Sequence, residues 1–185
     1  GDDEDETPGA LHQLQASICR NVSLYVEKYF DEEEFQPYVE QFVRTIWGML
    51  LRLPAAPRFD PLATSAIGIL AALVGGVHAH LFDNADTLKV VCEQIVVPNM
   101  RLRDADAELF EDNPIEYIRR DMEGSDSDTR RRAAVNLVKA LRKRFEGAVT
   151  DICRAYIDAL LAEHAANPAA AWHAGSRHRT RWPRS

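Results

Sequence analysis

The sequence predicts an all-α fold arranged as an α-α superhelix, a solenoid of about three helix pairs carrying an acidic insertion. Three observations predict it. Apolar residues recur three and four positions apart over six long stretches, the spacing of one helical face. No stretch alternates apolar and polar residues as a half-buried strand would. The stretches fall into consecutive pairs beginning near residues 10, 60 and 125, and without 99–124 their spacing approaches the roughly 40 to 47 residues of two-helix repeats.

After an acidic, disordered head at 1–8, Leu11, Leu14, Ile18, Val22, Tyr25 and Tyr29 predict a first helix with these residues as its core face. Val39, Phe42, Val43, Ile46, Trp47, Leu50 and Leu51 form a wider stripe, buried on more than one side, that stops at Leu53-Pro54. The three prolines of PAAPRFDP enforce that break, since none can sit inside a helix without removing a backbone donor. Asp60 before Pro61 reads as an N-cap opening a third helix through Ile67, Leu70, Leu73 and Val74 to Gly75-Gly76. Asn84 or Asp86 caps a fourth helix with Leu88, Val91, Cys92, Ile95 and Val96, stopped by Pro98.

From Asn99 to Gly124 the apolar density falls and carboxylates accumulate, which predicts short helices outside the core. Ser125 followed by Asp128 has the form of a capping box that opens a fifth helix running to about Arg144. Asp126 and Asp128 precede Arg130 and Arg132 by four residues, the better order for helix-surface ion pairs. The last helix runs from Gly147 to about Ala165 with Val149, Ile152, Cys153, Tyr156, Ile157, Leu160 and Leu161 on one face. The helix pairs are therefore 9–53, 60–98 and 125–167, with an insertion at 99–124 and a basic, unpatterned tail at 173–185. The periods alone leave a closed bundle as the alternative; a HEAT- or armadillo-like stack differs from it in leaving apolar surface on its outermost helices, because each repeat buries its face only against its neighbours.

The formal net charge of −7 disfavours nucleic acid as a partner. Arg130, Arg131 and Arg132 do not change this, since consecutive helical residues point about 100° apart and form no single patch. No apolar run reaches the roughly 18 residues expected of a membrane span, and GDDEDET is unlike a signal peptide, so no membrane insertion is expected. The chain begins with Gly1, as a processed product or an excerpt of a longer protein would. Cys19, Cys92 and Cys153 are odd in number and lie in helical apolar patterns, which fits small core residues in a reducing compartment.

The sequence predicts no enzyme and no cofactor: it has no phosphate-binding glycine loop, no G-x-S-x-G and no HExxH. His78 and His80, with Cys92, match no structural zinc spacing and read as surface histidines on a loop. The insertion reads as a solvated acidic face that nothing buries. Its residues Asp104, Asp106, Glu108, Glu111 and Asp112 are the candidate site for a basic partner.

A longer signature lies across the insertion. Glu111-Asp112-Asn113, Glu116-Tyr117-Ile118-Arg119-Arg120-Asp121, Glu123-Gly124-Ser125-Asp126 and Asp128-Thr129-Arg130-Arg131-Arg132-Ala133-Ala134 follow one another. Val96-Val97-Pro98-Asn99-Met100 with Arg103, Phe145-Glu146-Gly147, and Asn167-Pro168 with Trp172 bracket them. Together these resemble the central region of the CAS-type importin-α re-exporters of the importin-β superfamily, over roughly residues 3 to 172. The resemblance implies a HEAT-repeat superhelix that binds RanGTP and importin-α in the nucleus, passes nuclear pore proteins and releases both in the cytoplasm. It also implies that 99–124 corresponds to the insertion of a middle repeat, near bound Ran. Two departures stand out: Ala148 replaces a proline, and the chain after Trp172 reads HAGSRHRTRWPRS in place of another apolar helix, as a shifted reading frame or truncated gene would produce. A HEAT-like scaffold that holds partners without transporting them is the alternative reading.

Overall fold

A computed structural model of the chain describes residues 7–29, 32–121 and 129–166. Ser125, Asp126 and Asp128, most of the acidic head and the basic tail lie outside the described residues. Among the described residues eight α-helices follow in order: α1 (Ala10–Lys28), α2 (Gln36–Leu50), α3 (Asp60–Gly75), α4 (Ala85–Val90), α5 (Val97–Met100), α6 (Asp104–Asp112), α7 (Pro114–Asp121) and α8 (Arg130–Ala166). A π turn at Val91–Val96 joins α4 to α5, and short 3-10 turns occupy Pro57–Phe59 and Val77–Phe82. No strand occurs among the described residues.

Helix α3 is the centre of the core. Leu62, Ala63, Ala66, Ile67, Ile69, Leu70, Leu73 and Val74 are buried around most of its circumference, as a helix enclosed on several sides requires. It packs between α1 and α8. Helices α1, α3 and α8 thus stack side by side, the arrangement of an α-α solenoid. The stretch Pro57–Gly75 is in fact long and apolar enough to span a bilayer by length and composition, contrary to the sequence expectation. More than half of it is buried inside the protein, so its apolar character belongs to the core.

Helix α1 turns a different face inward from the one its periodicity suggested. Ala16, Cys19 and Val26 are buried, whereas Leu11, Leu14, Ile18, Tyr25 and Tyr29 are exposed. The small side chains of Ala16 and Cys19 allow α1 to approach α3 closely, and the bulkier stripe is left on the outer flank. The same occurs at the other end. Val149 is buried and Ile152 and Cys153 are half-buried, but Ile157, Leu160 and Leu161 are exposed. Apolar surface therefore lies on both outermost helices.

One break differs in form from expectation. Pro98 does not stop the fourth helix, which continues through it to Met100. The π turn immediately before it widens the backbone, which relieves the clash a proline ring makes with the preceding turn. Asn99 Nδ2 also donates to the Ile95 carbonyl at 2.7 Å, supplying a bond within that turn. The fifth and sixth predicted helices meet at a kink within the span Arg130–Ala166, where Phe145 leaves helical geometry at φ −131° and ψ 47°, between the expected end near Arg144 and the expected start at Gly147. Asn84 is the cap of the fourth helix, its Oδ1 accepting the backbone N–H groups of Asp86 and Thr87 at 2.8 and 3.2 Å.

The two surfaces give opposite expectations for truncation. Leu70→Ala, in the fully buried centre of α3, should lower unfolding free energy by about 2–5 kcal/mol, as large-to-small core changes do. Replacing exposed Leu14 and Leu160 with Glu should instead leave urea stability nearly unchanged and raise the monomer fraction in sedimentation, because exposed apolar patches drive association.

Candidate functional site

The insertion begins immediately after α5 and is held by charge. Asp60 occupies the first turn of α3, but its side chain caps nothing; the N-cap residue is Phe59. The carboxylate faces two guanidinium groups from distant parts of the chain. Arg103 approaches as a fork, Nη1 to Oδ1 at 2.7 Å and Nη2 to Oδ2 at 3.0 Å. Arg130 donates through Nε to Oδ1 at 2.6 Å. Charge-assisted bonds of this kind outcompete a single neutral backbone donor, and an anion at a helix N-terminus is further favoured by the macrodipole.

Arg103 uses its full donor set. Its remaining bonds go to Asp106, from Nε at 3.1 Å and Nη2 at 3.1 Å, and to the Ala55 carbonyl from Nη1 at 3.1 Å. Five N–H donors thus meet five acceptor contacts. Its backbone N–H also donates to Asp106 Oδ2 at 2.9 Å, so Asp106 starts α6 from the third helical position. Arg130 reaches back to the linker, Nη2 to the carbonyls of Pro54 at 2.9 Å and Ala56 at 3.4 Å. Arg131 donates from Nη1 to the Tyr117 hydroxyl at 3.0 Å and lies 3.5 Å from Asp106, which ties α7 into the same group.

Burial and pairing compete at each member. Burial alone would raise the Asp106 carboxyl, but the hydrogen bonds and charge of Arg103 outweigh it and hold it below the usual carboxylate range. Burial likewise works against the Arg103 cation, and Asp60 and Asp106 more than reverse that, raising it. Arg130 is the most deeply buried, and desolvation lowers it despite Asp60. The gap left among these side chains is about 30 Å³, room for roughly one water and no substrate. The arrangement is a clasp that binds the linker, α3, the insertion and α8 to one another.

Several expectations change accordingly. Arg130 is not on the helix surface; it is 6% exposed and pairs with Asp60, and Asp126, its expected partner, lies outside the described residues. Helix α8 opens at Arg130, where the Thr129 hydroxyl accepts the Arg132 N–H at 3.2 Å; Ser125, the expected cap, lies outside the described residues. Arg131 and Arg132 are half-buried. Asp106 is not part of a solvated acidic face, since the clasp holds it. His78 is buried in the 3-10 turn that folds back on α3, not exposed on a loop, whereas His80 is exposed. Among the described residues, no group of three His, Cys, Asp or Glu side chains is placed to hold a metal.

The remaining insertion carboxylates behave differently. Helix α6 buries none of its residues and packs on α7, where the Phe110 and Tyr117 rings meet edge-on at 5.5 Å. Asp104, Glu108, Glu111 and Asp112 are exposed. Their spacing of four, seven and eight residues from Asp104 places them on one side of the helix, and Asp106 falls on the opposite side. Glu111 and Asp112 also sit at the C-terminal end, where the macrodipole leaves their charge uncompensated.

A stack of paired helices with a charged hairpin clasped to its side defines a solenoid of the protein-binding kind. The profile of the family described as Cse1 matches residues 1–177. Exportin-2 of Pagrus major is 49% identical over 171 residues, 92% of this chain and 17% of that protein. Exportin-2 of Homo sapiens is 47% identical over the same length and coverage. A solved structure of the exportin Cse1 in its cargo-free, cytoplasmic state superposes with a TM-score of 0.87 at 36% identity, covering 93% of this chain and 19% of that one. The chain belongs to the Cse1 family of exportins, and it spans less than a fifth of the length of these relatives.

Asp60→Asn should destabilise the chain by about 3–5 kcal/mol in urea unfolding, because it strands buried Arg130 without its counter-charge. Asp104→Asn on the exposed side should stay within about 0.5 kcal/mol. The Asp106 carboxyl is depressed in the folded state, so its contribution is complete above the ordinary aspartate range near pH 4 and is lost as pH falls through the folded value. Asp106→Asn should therefore be less stable than the parent at pH 7, with the difference shrinking below about pH 4.

Proposed function

We propose that this chain is a central HEAT-repeat segment of a nuclear export receptor that returns importin-α to the cytoplasm in complex with RanGTP. The observation that carries the residue-level part of this reading is the one-sided carboxylate stripe of α6. Asp104, Glu108, Glu111 and Asp112 are exposed together on a helix that buries nothing of its own. A basic surface on Ran is the partner that stripe complements. Asp106, which the clasp already satisfies, serves to position the stripe.

Family membership supports the wider role: a receptor that shuttles between nucleus and cytoplasm and passes nuclear pore proteins. A curved stack of helix pairs also suits the coupling such a receptor needs. If Ran and importin-α both favour the same curvature, each raises the other's affinity by the same factor without touching it. The clasp would keep the insertion in fixed register with the repeats while that curvature changes.

The test belongs in the full-length receptor. Replacing Asp104, Glu108, Glu111 and Asp112 with their amides should weaken RanGTP binding and flatten its salt dependence, since exposed charges act chiefly through steering. Unchanged affinity at low salt would remove the stripe from the Ran interface. Equal capture of RanGTP and RanGDP by the unaltered receptor would favour a HEAT-like scaffold that does not transport.

A further inference from the structure

Two of the three cysteines meet in the fold, although they are far apart in the chain. Cys92 lies in the π turn and is buried; Cys153 lies beyond the kink in α8 and is half-buried. Both line one open groove of about 690 Å³, together with Val96, Met100, Ile152 and Ile157. The π turn packs on α8, which brings the two cysteines to one groove, with Cys153 the thiol whose proximity acts on Cys92. Cys19 is on α1, buried on the side that meets α3, and has no part in this groove.

We propose that Cys92 and Cys153 form an oxidative modification site, a dithiol that a peroxide converts into a disulfide bridging the π turn and α8. The two thiols have unequal roles. Burial first, and then the neighbouring Cys153, push the Cys92 thiol up to about 12, so Cys92 is neutral at physiological pH. Cys153 is the more accessible sulfur in the groove and the one a peroxide reaches. Peroxide transfers one oxygen to the Cys153 sulfur, giving the sulfenic acid and one water. The Cys92 sulfur then displaces that hydroxyl, its proton leaving with it as a second water, and the S–S bond forms. Burial of Cys92 makes ring closure the slower step, since the attacking sulfur must be a thiolate.

The full chain is treated with hydrogen peroxide at neutral pH, alkylated and mapped as peptides. The expected product joins the Cys92 and Cys153 peptides, is reversed by dithiothreitol, and leaves Cys19 alkylated. Its thermal unfolding midpoint should rise, because a bridge constrains the unfolded chain. In Cys92→Ser, Cys153 should persist as a sulfenic acid trapped by dimedone. Cys153→Ser, at the half-buried position, should abolish the bridge and leave Cys92 alkylated, and it keeps the test decisive should Cys92→Ser not fold. Passage of Cys153 to the sulfinic acid with no bridge in the unaltered chain would overturn the proposal. So would bridges that form only between molecules, or oxidation that favours Cys19.

Discussion

Asp60 is the point on which the rest of the structure depends. A single carboxylate at the start of the central helix receives Arg103 from the insertion and Arg130 from the last helix. Through those two arginines the proline linker is held as well, by the backbone carbonyls of Pro54, Ala55 and Ala56. Buried ion pairs give back much of their Coulomb energy as desolvation, so a clasp of this kind adds less stability than an equal volume of apolar packing would. What it supplies is register. An apolar patch would let the insertion slide, whereas a forked guanidinium on a carboxylate admits one geometry.

The opposite end of the same helix is treated in the same way. Arg144 of α8 donates to the Gly75 carbonyl at 3.0 Å and lies 3.5 Å from that of Gly76, placing a cation where the helix macrodipole is negative. Helix α3 is thus fixed at both termini by arginines from α8 and along its length by apolar contact. The kink at Phe145 comes immediately after Arg144, so the first part of α8 is committed to α3 and the second part is free to follow a different direction toward the π turn.

Charge in this protein is therefore divided by position along the insertion helix. Asp106 faces inward and is consumed in holding the hairpin, while its neighbours face outward and remain available. That division links the architecture to the transport reading: the inner carboxylate sets where the outer ones stand. The exposed apolar stripes of α1 and α8 complete the picture of a stack whose flanks are suited to further helices, in keeping with relatives several times its length.

Much of this was legible in the sequence. Helical periods, the Asn84 cap, the proline-rich break, the short insertion helices and the interruption at Phe145 are all local features, set by backbone geometry and side chains within a few residues of one another. The family motif was legible for the same reason, being a continuous run. The roles of Asp60, Arg103 and Arg130 were not, because their partners are separated by 43 and 70 positions and no local pattern distinguishes a buried arginine from a surface one. Nor did periodicity reveal which side of α1 faces inward, since Leu11, Leu14 and Ile18 make as good a stripe as Ala16, Cys19 and Val26. Sequence alone determined where helices form and that they pair. Only the tertiary structure decided which faces and which charges are enclosed, because burial depends on what the neighbouring helices bring to each surface.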